Sequence, residues 1–330
     1  MRVLVVKMSS LGDVIHTLPA LGDAASALPG IVFDWVVEEA FAEIPAWHPA
    51  VDQVIPVALR RWRKRPVHSL RGPEWRRARY TLGRQHYDAV IDAQGLLKSA
   101  VIARLVKAPR YGMDKRSVRE RLATAVYHHR IHVPRDMHAV ERTRLLFARA
   151  LKYPVPGAQG DYCLRGNLPG AGEALPGLLF FHGTARAEKL WPEEHWMALG
   201  QLAAASGLRV WLPWGDDRER DRAGRVAARL DNAEVLPRLD LAGLAGMLLR
   251  VRGAVAVDTG LGHLAAALDV PTVSLYGPTS TRLIGAYGKN QVHMESPAGA
   301  GHSRKPRAQM QAIQPDLVWA ALQGILPGTG

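Results

Sequence analysis

Short β-branched runs alternate with longer amphipathic ones from end to end of the chain, and this alternation limits the fold more than any other feature of the sequence. It is the pattern of parallel strands, because each parallel pair needs a crossover and a helix supplies it. In the first half "RVLVVK" (2–7), "IVFDWVV" (31–37), "VDQVIPV" (51–57) and "YDAVIDA" (87–93) read as strands. Helices are expected over 13–27, 75–86, 98–107 and 138–151, the last with apolar residues at steps of three and four. Residues 152–177 are rich in Pro and Gly, lack any period and read as a linker. In the second half strands are expected at 177–183, 207–215, 233–237, 253–260 and 271–277. A helix starts at "WPEEHW", where Pro192 and two glutamates suit a first turn. The reading is α/β: two doubly wound domains, 1–151 and 178–330, with ligands at the strand C-terminal ends. The last helix is expected to pack back on the N-terminal domain.

Bulk properties fit this reading. A chain of 330 residues, 48% apolar, exceeds what one core usually serves. Its single cysteine, Cys163, cannot form an internal disulfide, and no Cys/His spacing resembles a zinc site. Lys7 interrupts the first apolar run, unlike a signal peptide, and no run reaches the roughly 18 residues of a spanning helix. The protein is expected in the cytosol.

Charge is uneven. Residues 1–150 hold 25 Lys and Arg against 14 Asp and Glu, whereas 151–330 hold 18 against 16. The densest stretch, Arg60 to Arg84, has ten basic residues and one acid. A solvated surface is the plain reading of such a run; nucleic acid, an anionic membrane face or an acidic substrate are the functional ones.

Polar residues at the strand exits carry the chemistry. "GAVAVD" ends in Asp258, and Thr259, Gly260, Leu261, Gly262 and His263 open an Ala/Leu-rich helix whose free N–H groups suit a phosphate. Asp258 and Thr259 also read as a helix cap. "FHGTARAEK" sets Thr184 and Lys189 on another exit, a hydroxyl and an ammonium for diphosphate oxygens. Glu219, after a further strand, can accept from a ribose or sit in a solvated helix start. At the N-terminus "VVKMSSLGD" brings Asp13 to the exit of the first strand, either as a first-turn acid or as a general base facing an interdomain cleft. The Ser-Ser-Leu-Gly turn lets a substrate come close.

"MRVLVVKMSSLGDVIHTLPAL", "FDWVVEEAFAEIP", "RRWRK", "YDAVIDAQGLLKSA", "HAVERTR", "KLWPEEHW" and "DTGLGHLAAAL…LYGPT" together resemble the ADP-heptose:lipopolysaccharide heptosyltransferases, type I in particular, from residue 1 to about 293. The resemblance implies a GT-B fold of two Rossmann-like domains facing a central cleft. It implies inverting, metal-free transfer of L-glycero-D-manno-heptose from ADP-heptose to the first Kdo of Kdo2-lipid A. It makes Asp13 the base that deprotonates the acceptor hydroxyl. Ser10, Gly12, Thr184, Ala185, Lys189, Glu219, Asp258, Thr259, Gly260 and His263 would hold ADP-heptose, with Leu239 against the adenine. Arg60, Arg61, Arg63, Lys64, Lys98 and Arg119 would meet the acceptor's carboxylates and phosphates. Ala185 stands where many relatives have a second threonine, and Gly262 where serine is usual. The implied partners are ADP-heptose, Kdo2-lipid A and an anionic membrane surface, with no nucleic acid and no cofactor. The implied place is the cytoplasmic face of a Gram-negative inner membrane, with Trp62 and the arginines aiding attachment.

The residues independently suit such a transfer: a base on one side, charge stabilisation for a departing diphosphate on the other, and no D-x-D triplet. Three rivals remain at this stage. A polyanion or nucleic-acid binder would stack bases on Trp62, Trp75 and Tyr80. A dehydrogenase rests on "GLGHLA" alone, which lies late in the chain and lacks the expected acidic ribose ligand. A type II heptosyltransferase would use a different acceptor.

Overall fold

The computed structural model describes residues 1–62, 72–164, 168, 172–297 and 306–327, and the chain divides into two compact units, Met1–Asn167 and Leu168–Gly330. Each unit holds one six-stranded, all-parallel sheet. In the first the strands are β1 (Arg2–Val6), β2 (Val32–Glu38), β3 (Val51–Val57), β4 (Ala89–Asp92), β5 (Arg110–Met113) and β6 (His129–Ile131), in the order β3-β2-β1-β4-β5-β6. In the second they are β7 (Leu175–Phe181), β8 (Arg209–Leu212), β9 (Ala233–Val235), β10 (Val251–Val257), β11 (Thr272–Tyr276) and β12 (Gln291–Glu295), in the order β9-β8-β7-β10-β11-β12 read from the other edge. Both are doubly wound sheets whose order reverses beside the first strand, between β1 and β4 and between β7 and β10. A crevice opens at such a reversal because the loops leaving the two central strands turn to opposite faces.

Strand interiors are apolar because both sheet faces are covered. Val3, Leu4, Val5 and Val6 are fully buried, as are Leu178, Leu179 and Phe180. In the second unit Trp191 and Trp196 meet edge to face within the core, joined by Val318, Trp319 and Leu322 of the helix Pro315–Gln323. The closing helix, expected on the N-terminal domain, thus contributes its apolar face to the second unit's own core. The expected helix 13–27 is two, Leu11–Ile15 and Leu18–Ala27, and Pro19 opens the second at a first-turn position where its missing N–H is not needed.

The stretch after residue 151 is more ordered than its Pro/Gly content suggests. Tyr153, Tyr162 and Leu164 are buried. Arg144, on the helix Ala139–Leu151, donates from Nε to Asp23 Oδ2 at 2.6 Å, from Nη1 to Glu141 at 3.0 Å and from Nη2 to the carbonyl of Ala158 at 2.9 Å. One guanidinium therefore ties the helix Leu18–Ala27 to Ala139–Leu151 and to the segment that follows. Its side chain is 3% exposed and that of Asp23 10%. Arg144→Met strands a buried carboxylate, and the expected outcome is a loss of about 3–5 kcal/mol in the first unit, read by denaturant titration. A loss under about 1 kcal/mol would show that the network is dispensable.

Candidate functional site

In the first unit the crevice between β1 and β4 is a cavity of about 380 Å³, lined by Lys7, Asp13 and His16 after β1 and by Ala93 to Leu96 after β4. Ser117, Arg119, Arg135 and Arg142 close the far wall. Asp13 is the third residue of the short helix Leu11–Ile15. Its Oδ2 accepts from the Ser10 amide at 2.9 Å and from Ser10 Oγ at 2.8 Å. Its Oδ1 lies 3.7 Å from Lys7 Nζ, and the side chain is 47% exposed. The carboxylate is thus both a first-turn acid and a wall of the cavity. The helix start and Lys7 place positive potential on it.

The floor is built by a second set of contacts. Gln94 spends both ends of its carboxamide on the turn before Asp13: Oε1 accepts from the amides of Met8 (2.7 Å) and Ser9 (3.1 Å), and Nε2 donates to the Ser9 carbonyl (2.6 Å). Lys7 Nζ donates to the Ala93 carbonyl at 3.0 Å. Asp92, buried at the end of β4, accepts from Tyr127, Ser99 and the amides of Gln94 and Gly95. Burial pushes its carboxyl up from the ordinary range, against the pull of those four donors. Gly95 has φ +67°, and a Cβ there would meet Val118 Cγ2 at 2.7 Å, so only glycine fits this wall.

The expected acceptor residues separate. Arg119 lines the cavity, and Lys98 Nζ reaches Ser9 Oγ at 3.3 Å. Arg60 and Arg61 lie on the short helix Leu59–Trp62, which follows β3. There Arg61 is paired with Glu39 (2.9 Å) and Glu74 (3.0 Å), and the Arg60 guanidinium lies over Phe41. Arg63 and Lys64 lie outside the described residues. Trp62, expected to aid membrane attachment or stack a base, is 8% exposed: its indole donates to Glu74 and packs edge to face on Trp75. Its ring is committed to the core. Cavity residues that went unread in the sequence include His16, Gln94, Ser117, Arg135 and Arg142. Arg142 donates to the Ser117 carbonyl at 2.8 Å, and burial lowers its pKa.

In the second unit the crevice between β7 and β10 gathers most of the expected donor residues. Thr184 Oγ1 donates to the Asp258 carbonyl at 3.0 Å. Asp258 Oδ2 accepts from Lys189 Nζ (2.5 Å) and from Thr279 Oγ1 (2.6 Å). The aspartate therefore positions a lysine rather than capping the helix Gly260–Ala267, whose N-cap is Thr259. Thr259, Gly260 and His263 form that helix's first turn, and His263 is buried. Ala185 follows Thr184 on the exposed side of the loop. At Gly262 a Cβ would lie 3.1 Å from the Ala256 side chain, so the absent serine is matched by tight packing. After β8, in the first turn of the helix Asp217–Ala227, Glu219 accepts from the Gly215 amide at 2.8 Å, and its carboxylate fills the space over Gly183, where a Cβ would fall 2.1 Å from Oε1. Leu239 follows β9, just before Asp240 caps the helix Leu241–Leu248. The four loops leave adjacent strands, β10, β7, β8 and β9. Ser10 and Gly12 belong to the first unit. Among the described residues no group of three or more His, Cys, Asp and Glu is arranged for a metal ion.

A lysine, two threonine hydroxyls and a helix start beside one crevice suit a diphosphate; a carboxylate in a cation-lined crevice suits proton removal from an anionic acceptor. Comparison with known proteins gives the family. The model of glycosyltransferase family 9 (heptosyltransferase) matches residues 75–314. Lipopolysaccharide heptosyltransferase 1 of Pseudomonas aeruginosa is 60% identical over 90% of this chain and 84% of its own length. The structure of E. coli heptosyltransferase WaaC with ADP superposes with a TM-score of 0.90 at 48% identity, covering 98% of this chain and 99% of that one. WaaC with ADP-2-deoxy-2-fluoro heptose gives 0.86 at 46% identity, covering 98% and 99%. On the family match and these identities, the chain belongs to glycosyltransferase family 9, the heptosyltransferases.

Proposed function

We propose that this chain is a type I heptosyltransferase that moves L-glycero-D-manno-heptose from ADP-heptose to the first Kdo of Kdo2-lipid A, with inversion and without a metal. The observation that carries the reading is Asp13 in a crevice whose other charged walls are Lys7, Arg119, Arg135 and Arg142. An acidic sugar is drawn to such a wall, and its hydroxyl then faces the one carboxylate there. The acceptor oxygen attacks the anomeric carbon as the bond to the diphosphate oxygen breaks. The hydroxyl proton passes to Asp13 Oδ1, since both Ser10 donors converge on Oδ2. Charge leaves with ADP, where Lys189, Thr184 and the helix start at Thr259 receive it. Glu219 and Leu239 hold the nucleoside. The protein works at the cytoplasmic face of the inner membrane, attached at its surface; among the described residues no helix is long and apolar enough to cross a bilayer.

Incubation with ADP-heptose and Kdo2-lipid A should enlarge the glycolipid by one heptose, equally with and without chelator. Growth only on an acceptor that already bears heptose would make the enzyme type II, and growth lost to chelator would end the metal-free reading. The two groups of arginines separate by kinetics. Arg119→Ala should raise the acceptor KM by about tenfold with the donor KM unchanged, the scale of one charge-assisted contact. Arg61→Ala, already balanced by Glu39 and Glu74, should have a smaller acceptor effect. Equal effects would place Arg61 in direct contact with the acceptor.

A further inference from the structure

Among the described residues eight large apolar side chains are exposed, and three of them, Leu97 (46%), Val101 (56%) and Leu122 (73%), lie on two neighbouring elements. Leu97 and Val101 are one turn apart on the helix Leu97–Arg104, whose opposite face buries Ala100, Ile102 and Ala103. Leu122 lies on the 3₁₀ helix Arg121–Ala125. The two elements share a small core of Ala100, Ala123 and Tyr127, and Glu120 accepts from the Leu97 amide at 2.7 Å. Scattered single apolar residues need no explanation, but a cluster does. Exposed Lys98, Arg104, Arg119 and Arg121 rim this one, with Glu120 the acid among them. The patch also abuts the Asp13 cavity, because Leu96 and Arg119, which line the cavity, adjoin Leu97 and Glu120 in the chain.

We infer that the Leu97–Val101–Leu122 face is the surface that docks on an anionic lipid bilayer, its aliphatic side chains entering the headgroup boundary and its cations meeting lipid phosphates. The inference rests on the reading that the acceptor is a membrane glycolipid. An acceptor anchored by its acyl chains presents its sugar at the bilayer surface, so the mouth of the acceptor cavity has to face that surface. The face bordering the mouth then has to tolerate lipid. Aliphatic side chains ringed by cations are what an anionic interface selects, each part adding to the other. Trp62 cannot serve in this way, since its ring is buried.

The test is sedimentation of the full chain with vesicles of phosphatidylethanolamine containing phosphatidylglycerol, and with neutral phosphatidylcholine vesicles, alongside transfer onto a water-soluble, acyl-free acceptor. Wild type should prefer the anionic vesicles. Leu97→Ser/Val101→Ser/Leu122→Ser should lower its partition by at least about tenfold, the scale of three partly buried aliphatic side chains. Arg104→Glu/Arg121→Glu should abolish the preference for anionic lipid. Transfer onto the soluble acceptor should stay within about twofold of wild type in both variants, which confirms that they are folded. Unchanged partition of the triple variant, or equal wild-type partition onto both vesicles, overturns the inference while soluble transfer leaves the enzyme reading standing. A concentration-dependent dimer lost in the triple variant, without vesicle binding, assigns the face to a second copy and overturns it too. No wild-type transfer onto any acceptor removes the glycolipid reading and this surface with it.

Discussion

Asp13→Asn should reduce heptose transfer by about a thousandfold or more while ADP-heptose still binds within about twofold of wild type. The asparagine oxygen can still accept from the Ser10 amide and hydroxyl, so the helix start keeps its geometry. What disappears is the capacity to take a proton and the charge that balances Lys7. The comparison variant is Ser10→Ala, which removes one of the two contacts to Oδ2 but leaves the carboxylate, and should cost about tenfold. Single-turnover transfer and donor titration by calorimetry separate the effects. Near-normal transfer by Asp13→Asn would move the base elsewhere, and loss of donor affinity in the same variant would make the residue a binding group.

Lys189→Ala should lower kcat/KM for the donor by about a hundredfold to a thousandfold. Two effects combine. An ammonium proposed to meet the diphosphate is removed, and Asp258, only 8% exposed in its side chain, is left with Thr279 and no cation. A bare carboxylate in that crevice would repel a diphosphate. Lys189→Ala/Asp258→Asn should therefore recover part of the donor affinity that Lys189→Ala alone loses. If the double variant is instead as weak as the sum of its single changes, Asp258 acts on the donor by itself and not through the lysine.

Nine of the twelve strands among the described residues could be read from apolar runs, because each central strand of a sheet covered on both faces must be apolar. The three that could not, β5, β6 and β12, lie toward one edge of each sheet. β6 is three residues long, with two of them exposed, and β5 begins with an arginine and a tyrosine. Their absence from the reading hid part of the site. Ser117 and Arg135 enter the cavity from the loops that follow β5 and β6, and without those strands nothing assigns the loops to the crevice. Asp13, Thr184, Lys189 and Asp258 were visible because they follow the most apolar strands directly. Gln94 was not singled out: its importance comes from three hydrogen bonds to a turn some 85 residues earlier, which no local pattern encodes. Trp62 misled for the opposite reason. A tryptophan among arginines looks exposed, and only the partnership with Glu74 and Trp75 reveals where the ring goes.

The strand order in both sheets also bears on synthesis. β1 pairs on one side with β2 and on the other with β4, through Val3 opposite Ala89. Made first, it must wait with one edge bare until the ribosome has added more than eighty residues, several seconds of translation. The nascent chain thus carries an apolar strand with a vacant ladder of N–H and C=O groups, which invites pairing with a neighbouring polypeptide. β7 repeats the situation until β10 arrives, Leu178 opposite Gly253. Overproduction at high rates should therefore favour inclusion bodies through these two central strands, and slower, cooler expression should relieve it.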